Sequence, residues 1–311
     1  MAKNPNKIRA KRVASDYVLD TIFTIVIIVV FVVTLYPFLN SLAISLNDSN
    51  DTLRGGITLY PREFTIQNYK LVFTNPKIWK AYLVTISRTV IGTVGGLLVT
   101  GGMGFAMSRT GLVGRKFYVV FCLIPMYIGG GLVPTYFVMK TLGLLNSFWV
   151  YIIPSLVNLW NMILMRSNFA AQPAALEESA RIDGANYITI FFKIYWPIST
   201  PIIATIALYF GVQHWNSWYD ASVYVSVEDL KPMQCVLMSI VNEAAFAERM
   251  AQASGGSVNA GDLANMAKGK NTNVRSITMA TMIVTIIPVL IVYPFLQRYF
   301  VKGIMIGSVK G

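Results

Sequence analysis

Charge is scarce in this sequence: only 13% of its 311 residues are Asp, Glu, Lys or Arg, against about a quarter in an average soluble domain. That deficit, beside 55% hydrophobic residues, excludes a soluble globular protein and points to an integral membrane protein. Histidine occurs once, at His214, and cysteine twice, at Cys122 and Cys235. The two cysteines lie far apart in sequence and in predicted depth, so neither a disulfide nor a metal site is implied. The sequence has no Gly-x-x-x-x-Gly-Lys-Ser/Thr phosphate loop, no His-Glu-x-x-His and no Gly-x-Ser-x-Gly elbow. A nucleotide cradle, a zinc peptidase and a serine hydrolase are thereby set aside. Acidic residues are also rare inside the apolar runs, where the nearest, Asp20 and Asp220, stand at the edges. Gradient-driven carriers usually hold intramembrane carboxylates as proton or cation sites. That reading is weakened, and an energy source on another subunit is favoured.

What the sequence does have is apolar length. Runs of about 20 apolar residues, enough to cross about 30 Å of hydrocarbon as a helix, cover 22–44, 82–107, 117–138, 148–165, 198–218 and 277–296. They predict an all-α integral membrane protein with six transmembrane helices. The third is the least regular, because Pro125, Gly129, Gly130, Gly131 and Pro134 interrupt it, and such breaks need protein or a wet cavity around them. The first run is too long for a signal peptide and lacks a small-residue cleavage site, so it reads as a retained anchor. Placing the N-terminus inside puts most of the Lys and Arg of the short loops on the inner side, as the positive-inside rule requires. Both termini and the loop 166–197 are then cytoplasmic. The domain reading is a basic arm over 1–17, a permeating domain over 18–298 with a long outer segment at 219–275, and a tail over 299–311. The +12 net charge favours anionic lipid as the surface partner rather than nucleic acid.

Several loops and helix faces stand out. The outer loop 47–80 contains turn formers and two Asn-x-Ser/Thr sequons, at Asn47 and Asn50, which carry meaning only in a secretory pathway. Residues 230–253 read as an amphipathic helix, and 254–273, rich in Gly, Ser and Asn, as a loop. Gly92-xxx-Gly96 and Gly101-Gly-Met-Gly104 allow close helix approach, either within the chain or to a partner. Arg88 is the basic residue well inside a span. It is either a functional charge, suited to an anionic sugar, or a side chain that snorkels or bonds a backbone carbonyl. Gln213, Trp215, Asn216 and Trp218 at the end of the fifth span, with Asn158 and Asn161 in the fourth, offer aromatic faces and amides suited to carbohydrate. An interfacial aromatic belt and amide bonds across helices explain the same residues without a ligand.

The most informative stretch is the polar island Pro173–Ala185 between apolar runs. Pro173 suits a first helical position, Glu177 and Arg181 are spaced for an i,i+4 pair, Gly184 suits a left-handed helix end, and Asn186 can cap the next helix. An exposed helix between two spans is a handle on which something outside the membrane can push.

Glu178-Ser-Ala180, three residues, Gly184, nine residues, and Ile194-Tyr-Trp-Pro197 resemble the EAA loop of permease subunits in ATP-binding-cassette importers. Ser179 and Trp196 depart slightly from that motif, while its spacing is kept. Asp183-Gly-Ala185 and the ending Gly307–Gly311 resemble the maltose-type sugar branch. Gly130–Tyr136, Trp215–Trp218, Asn242–Ala245 and Tyr293–Gly303 resemble permeases of lipoprotein-dependent importers for complex oligosaccharides in Gram-positive bacteria. The resemblance implies a type I importer fold in a bacterial plasma membrane. Its implied partners are a second, different permease, two cytoplasmic ATPase subunits holding ATP and Mg, and an extracellular sugar-binding lipoprotein. This chain would itself bind no cofactor and catalyse nothing. The resemblance also implies that Glu177 or Glu178 pairs with a basic residue of the ATPase, that Ala180, Asp183 and Gly184 lie at the contact, and that the tail with Lys310 and Gly311 reaches between the ATPases. A gradient-driven sugar carrier and a non-transporting scaffold are the competing readings.

Overall fold

The computed structural model describes residues 14–253 and 274–307. The basic arm before residue 14, the loop 254–273, and Lys310 and Gly311 of the tail lie outside the described residues. No strand occurs among the described residues, and one isolated antiparallel bridge joins Asn47 and Phe64.

In chain order the main helices are α1 (Ala14–Ser45), α2 (Pro76–Ser108), α3 (Arg115–Tyr127), α4 (Leu132–Thr141), α5 (Leu159–Ala170), α6 (Ala174–Ile182), α7 (Thr200–Asn216), α8 (Met233–Ala253) and α9 (Val274–Gly307). Three of them, α1, α2 and α9, contain apolar stretches long enough to cross a membrane unaided. The other three expected spans are bent pairs rather than single rods. α3 and α4 meet at 119°, the segment Phe148–Ser155 and α5 at 44°, and the segment Tyr187–Ile198 and α7 at 90°. Each bend has a local cause. Gly131 adopts φ +78° immediately before α4, a conformation that side chains resist. Pro201 has no N–H for the Pro197 carbonyl, which accepts the Thr200 hydroxyl instead, at 2.6 Å. Asn158 caps α5 by accepting a 3.0 Å bond from the Asn161 N–H.

The described residues fall into two compact units. One comprises those up to Tyr69 together with 274–283, the other Lys70–Ala253 together with 284–307. In the first unit, α1 is exposed on every face from Tyr17 to Leu39, the pattern of a helix surrounded by hydrocarbon. Its end runs into a buried polar knot. The Asn47 amide donates to Asp51 at 3.0 Å and Thr52 at 3.1 Å, and its oxygen accepts from the Glu63 N–H at 2.9 Å. Asn68 donates to the carbonyls of Ser45 and Asn47, both at 2.9 Å. Arg62 closes the knot on Asp51 at 2.9 Å. Asn47 is fully buried, so its sequon is not open to glycosylation in the folded chain, because the acceptor nitrogen is already committed.

The second unit is built on α2, which packs along its length against α7 and α5. The glycines seen in the sequence serve this intrachain contact. A Cβ on Gly92 would fall 2.2 Å from His214 Nε2, and one on Gly96 2.7 Å from the Phe210 ring. On the opposite partner, a Cβ on Gly104 would lie 3.1 Å from the Met162 carbonyl oxygen. A cluster of Phe105, Met165, Phe169, Phe191, Tyr195 and Phe210 fills the Ser108 end of this unit.

Candidate functional site

The polar island folds largely as its residues dictate. Pro173 stands just before the helix rather than in it, and α6 begins at Ala174. Gly184 has φ +79°, and the Ala185 N–H reaches back to the Ala180 carbonyl at 2.9 Å, which closes a left-handed helix end. Asn186 accepts from the Thr189 N–H at 2.8 Å and starts the next helical segment.

One side-chain expectation needs correction. Glu177 does not pair with Arg181. It forms an ion pair with Arg109, at the end of α2, and both side chains are largely buried, at 16% and 12% exposed. Arg181 instead donates to the Tyr187 hydroxyl, with its guanidinium 4.7 Å above that ring. An exposed i,i+4 pair is worth only a few tenths of a kcal/mol, whereas Arg109 is a preset partner. It also donates to the Tyr195 hydroxyl at 2.6 Å and the Phe169 carbonyl at 3.0 Å, and it lies 4.4 Å over the Tyr195 ring. Ala180 is buried in the aromatic cluster and faces the chain's own core. Glu178, Ile182, Asp183 and Gly184 are exposed, Ile182 at 87%. The island is therefore two-sided: Glu177 and Ala180 are tied inward, and Glu178, Ile182 and Asp183 are presented outward.

Arg88 is 1% exposed and forms an ion pair with Asp220. It also donates to the Ser217 carbonyl at 3.2 Å, and its guanidinium stacks 4.3 Å over Tyr151. Asp220 accepts in addition from the Ser217 hydroxyl and the Ala221 N–H, both at 2.9 Å. The backbone carbonyl foreseen for Arg88 is present. The free positive charge suited to an anionic sugar is not, because Asp220 neutralises it.

The aromatic and amide candidates do not converge on one cradle. Trp215 is buried and borders an apolar cavity of about 480 Å³ with Val90, Val94, Leu208, Val212 and Pro288. Its indole N–H has no hydrogen-bond partner among the described residues. Gln213 and Asn216 are exposed, Trp218 packs edge-on against Tyr219, Asn158 acts as the α5 cap, and Asn161 is buried beside it. His214 lies against Gly92, with Nε2 3.4 Å from the Ser155 hydroxyl.

The sequence reading missed Arg109, Tyr195, Asp220 and Tyr151. Arg109 had a signal, as the first charge after a long apolar run, and Asp220 was noted only as an edge residue. Neither partner was visible, because Arg88 and Asp220 are 132 residues apart and Arg109 and Glu177 are 68 apart.

No protein-family profile matches the chain. The polygalacturonan/rhamnogalacturonan transport system permease protein YtcP of Bacillus subtilis is 37% identical over 88% of this chain and 92% of its own length. Protein LplC of the same organism is 34% identical over 90% of each. Among solved structures, a bacterial ABC transporter involved in the import of the acidic polysaccharide alginate superposes with a TM-score of 0.81 at 29% identity. That match covers 93% of this chain and 99% of the other.

Proposed function

The chain belongs to the permease subunits of carbohydrate ABC importers, and from that membership we propose that it forms half of a pathway for an acidic oligosaccharide, driven through α6. The related systems are named for polygalacturonan, rhamnogalacturonan and alginate, and the proposed cargo follows them. The observation that carries the coupling role is the two-sidedness of α6: one face is locked into the chain's aromatic core, and the other presents Glu178, Ile182 and Asp183.

In this reading six spans cross the membrane with both termini and α6 in the cytoplasm. A second, different permease completes the pathway, two ATPase subunits hold ATP and Mg, and an extracellular lipoprotein delivers the sugar. ATPase closure displaces α6, the packed spans turn, and the pathway opens alternately to each side. This chain supplies walls and a lever, and the chemistry takes place on the ATPases. Glu178 pairs with a basic residue of the ATPase, and Gly184 and Asp183 permit and orient close approach. Lys310 and Gly311 extend that contact. Gln213, Asn216 and Trp218 are the exposed candidates for sugar contact, while Asn158, Asn161, Trp215 and Arg88 act as structural supports.

The test is reconstitution of the complex with labelled oligogalacturonate. The ATPase co-purifies with the native chain, and Glu178→Lys lowers sugar-stimulated ATP hydrolysis by about tenfold or more. Undiminished stimulation in that variant would remove the coupling assignment, and equal uptake of a neutral oligosaccharide of the same length would remove the cargo assignment.

A further inference from the structure

Glu177 and Glu178 are adjacent on α6, yet the helical turn of about 100° between neighbours sends them to different faces. Glu178 is exposed, and Glu177 is held by Arg109. Arg109 follows the last residue of α2 and touches four parts of the fold at once. It bonds Ser108 of α2 at 2.8 Å, the Phe169 carbonyl near the end of α5 at 3.0 Å, the Tyr195 hydroxyl before α7 at 2.6 Å, and the Glu177 carboxylate of α6. The Phe105 ring lies 5.0 Å below its guanidinium. A lysine has one donor head and cannot reproduce this planar fork. Upstream of the knot, α2 meets the His214 and Phe210 rings of α7 at Gly92 and Gly96 and the backbone of α5 at Gly104, in each case too closely to admit even a Cβ. A displacement of the Ser108 end is therefore passed to both neighbours as motion of whole helices.

We propose that Arg109 is the positioning residue through which movement of α6 reaches α2, with Glu177 as its counterpart and Glu178 as the outward contact. This rests on the coupling reading above. It divides the two glutamates into an internal strut and an external contact, and it assigns a role to a residue outside the polar island.

The experiment uses the full complex of both permeases, the ATPases and the binding protein in proteoliposomes, comparing Arg109→Gln, Arg109→Lys, Glu177→Gln and Glu178→Lys. The readout is the ratio of sugar-stimulated to basal ATP hydrolysis, together with the amount of ATPase that co-purifies. A purely structural defect lowers the quantity of complex and leaves that ratio alone. Arg109→Gln and Glu177→Gln are expected to retain the ATPase while the ratio falls by about tenfold, with Arg109→Lys in between. A ratio within about twofold of the native complex in Arg109→Gln overturns the proposal. If Arg109→Gln does not assemble, Glu177→Gln decides by the same threshold, since it removes the charge and keeps the shape. Failure of the underlying reading looks different: the native chain does not retain the ATPase, or Glu178→Lys leaves the ratio unchanged.

Discussion

Arg88 shows how a single residue's role is set by what reaches it. An arginine buried in a span is costly unless its charge is met, and here Asp220, the Ser217 carbonyl and the Tyr151 ring meet it. Arg88→Ala leaves the Asp220 carboxylate, 24% exposed, without its counter-charge. The expected cost is about 2–4 kcal/mol, reduced somewhat because Asp220 keeps some contact with solvent. A lowered melting temperature of the detergent-solubilised chain checks this. The same variant should leave the ratio of acidic to neutral oligosaccharide uptake unchanged in the complex, whereas a selective loss of acidic uptake would return Arg88 to the pathway. The sequence offered the carbonyl partner of Arg88. It could not offer Asp220, because residues so distant in the chain meet only when α2 and the turn after α7 have packed.

Among the elements, those with local causes were readable. The end of α6 at Gly184, the Asn186 cap and the close approach of α2 through its glycines all follow from the conformational freedom or small size of named residues. The polar knot after α1 was not readable, because its bonds connect residues of 45–52 with residues of 62–69. That knot predicts a pH response. The Asn47 amide, followed by Arg62, holds the Asp51 carboxyl below its ordinary value of 3.8. A depressed carboxyl stabilises the folded loop above that value, and the contribution is lost as pH falls through the folded pKa. Hydrogen-exchange protection of residues 47–63 should thus hold from neutral pH down to about 5 and decline below about 4. Protection that stays flat to pH 3, or is lost near pH 6, would show that Asp51 does not control the loop.

For the molecule as a whole, α2 is the element on which the second unit depends, because it is the common partner of α5 and α7. At Gly104 the facing atoms are the backbone of Met162 and Arg166, 3.1 and 3.2 Å from an added Cβ, and backbone cannot turn aside as a side chain can. Gly104→Val should therefore push α5 from α2 at a cost of about 1–3 kcal/mol, seen as a fall in melting temperature. A melting temperature equal to the native one would mean that the two helices have room to spare. At this scale the amino-acid sequence by itself determined the membrane class, the apolar segments, the caps and the spacing of the polar island, since each depends on hydrophobic length or local backbone preference. Only the tertiary structure decided that three of those segments bend, that Glu177 turns inward to Arg109 while Glu178 stays outside, and that the charge of Arg88 is already neutralised. These outcomes depend on which desolvated group finds which partner after packing, and a linear pattern carries no record of such distant encounters.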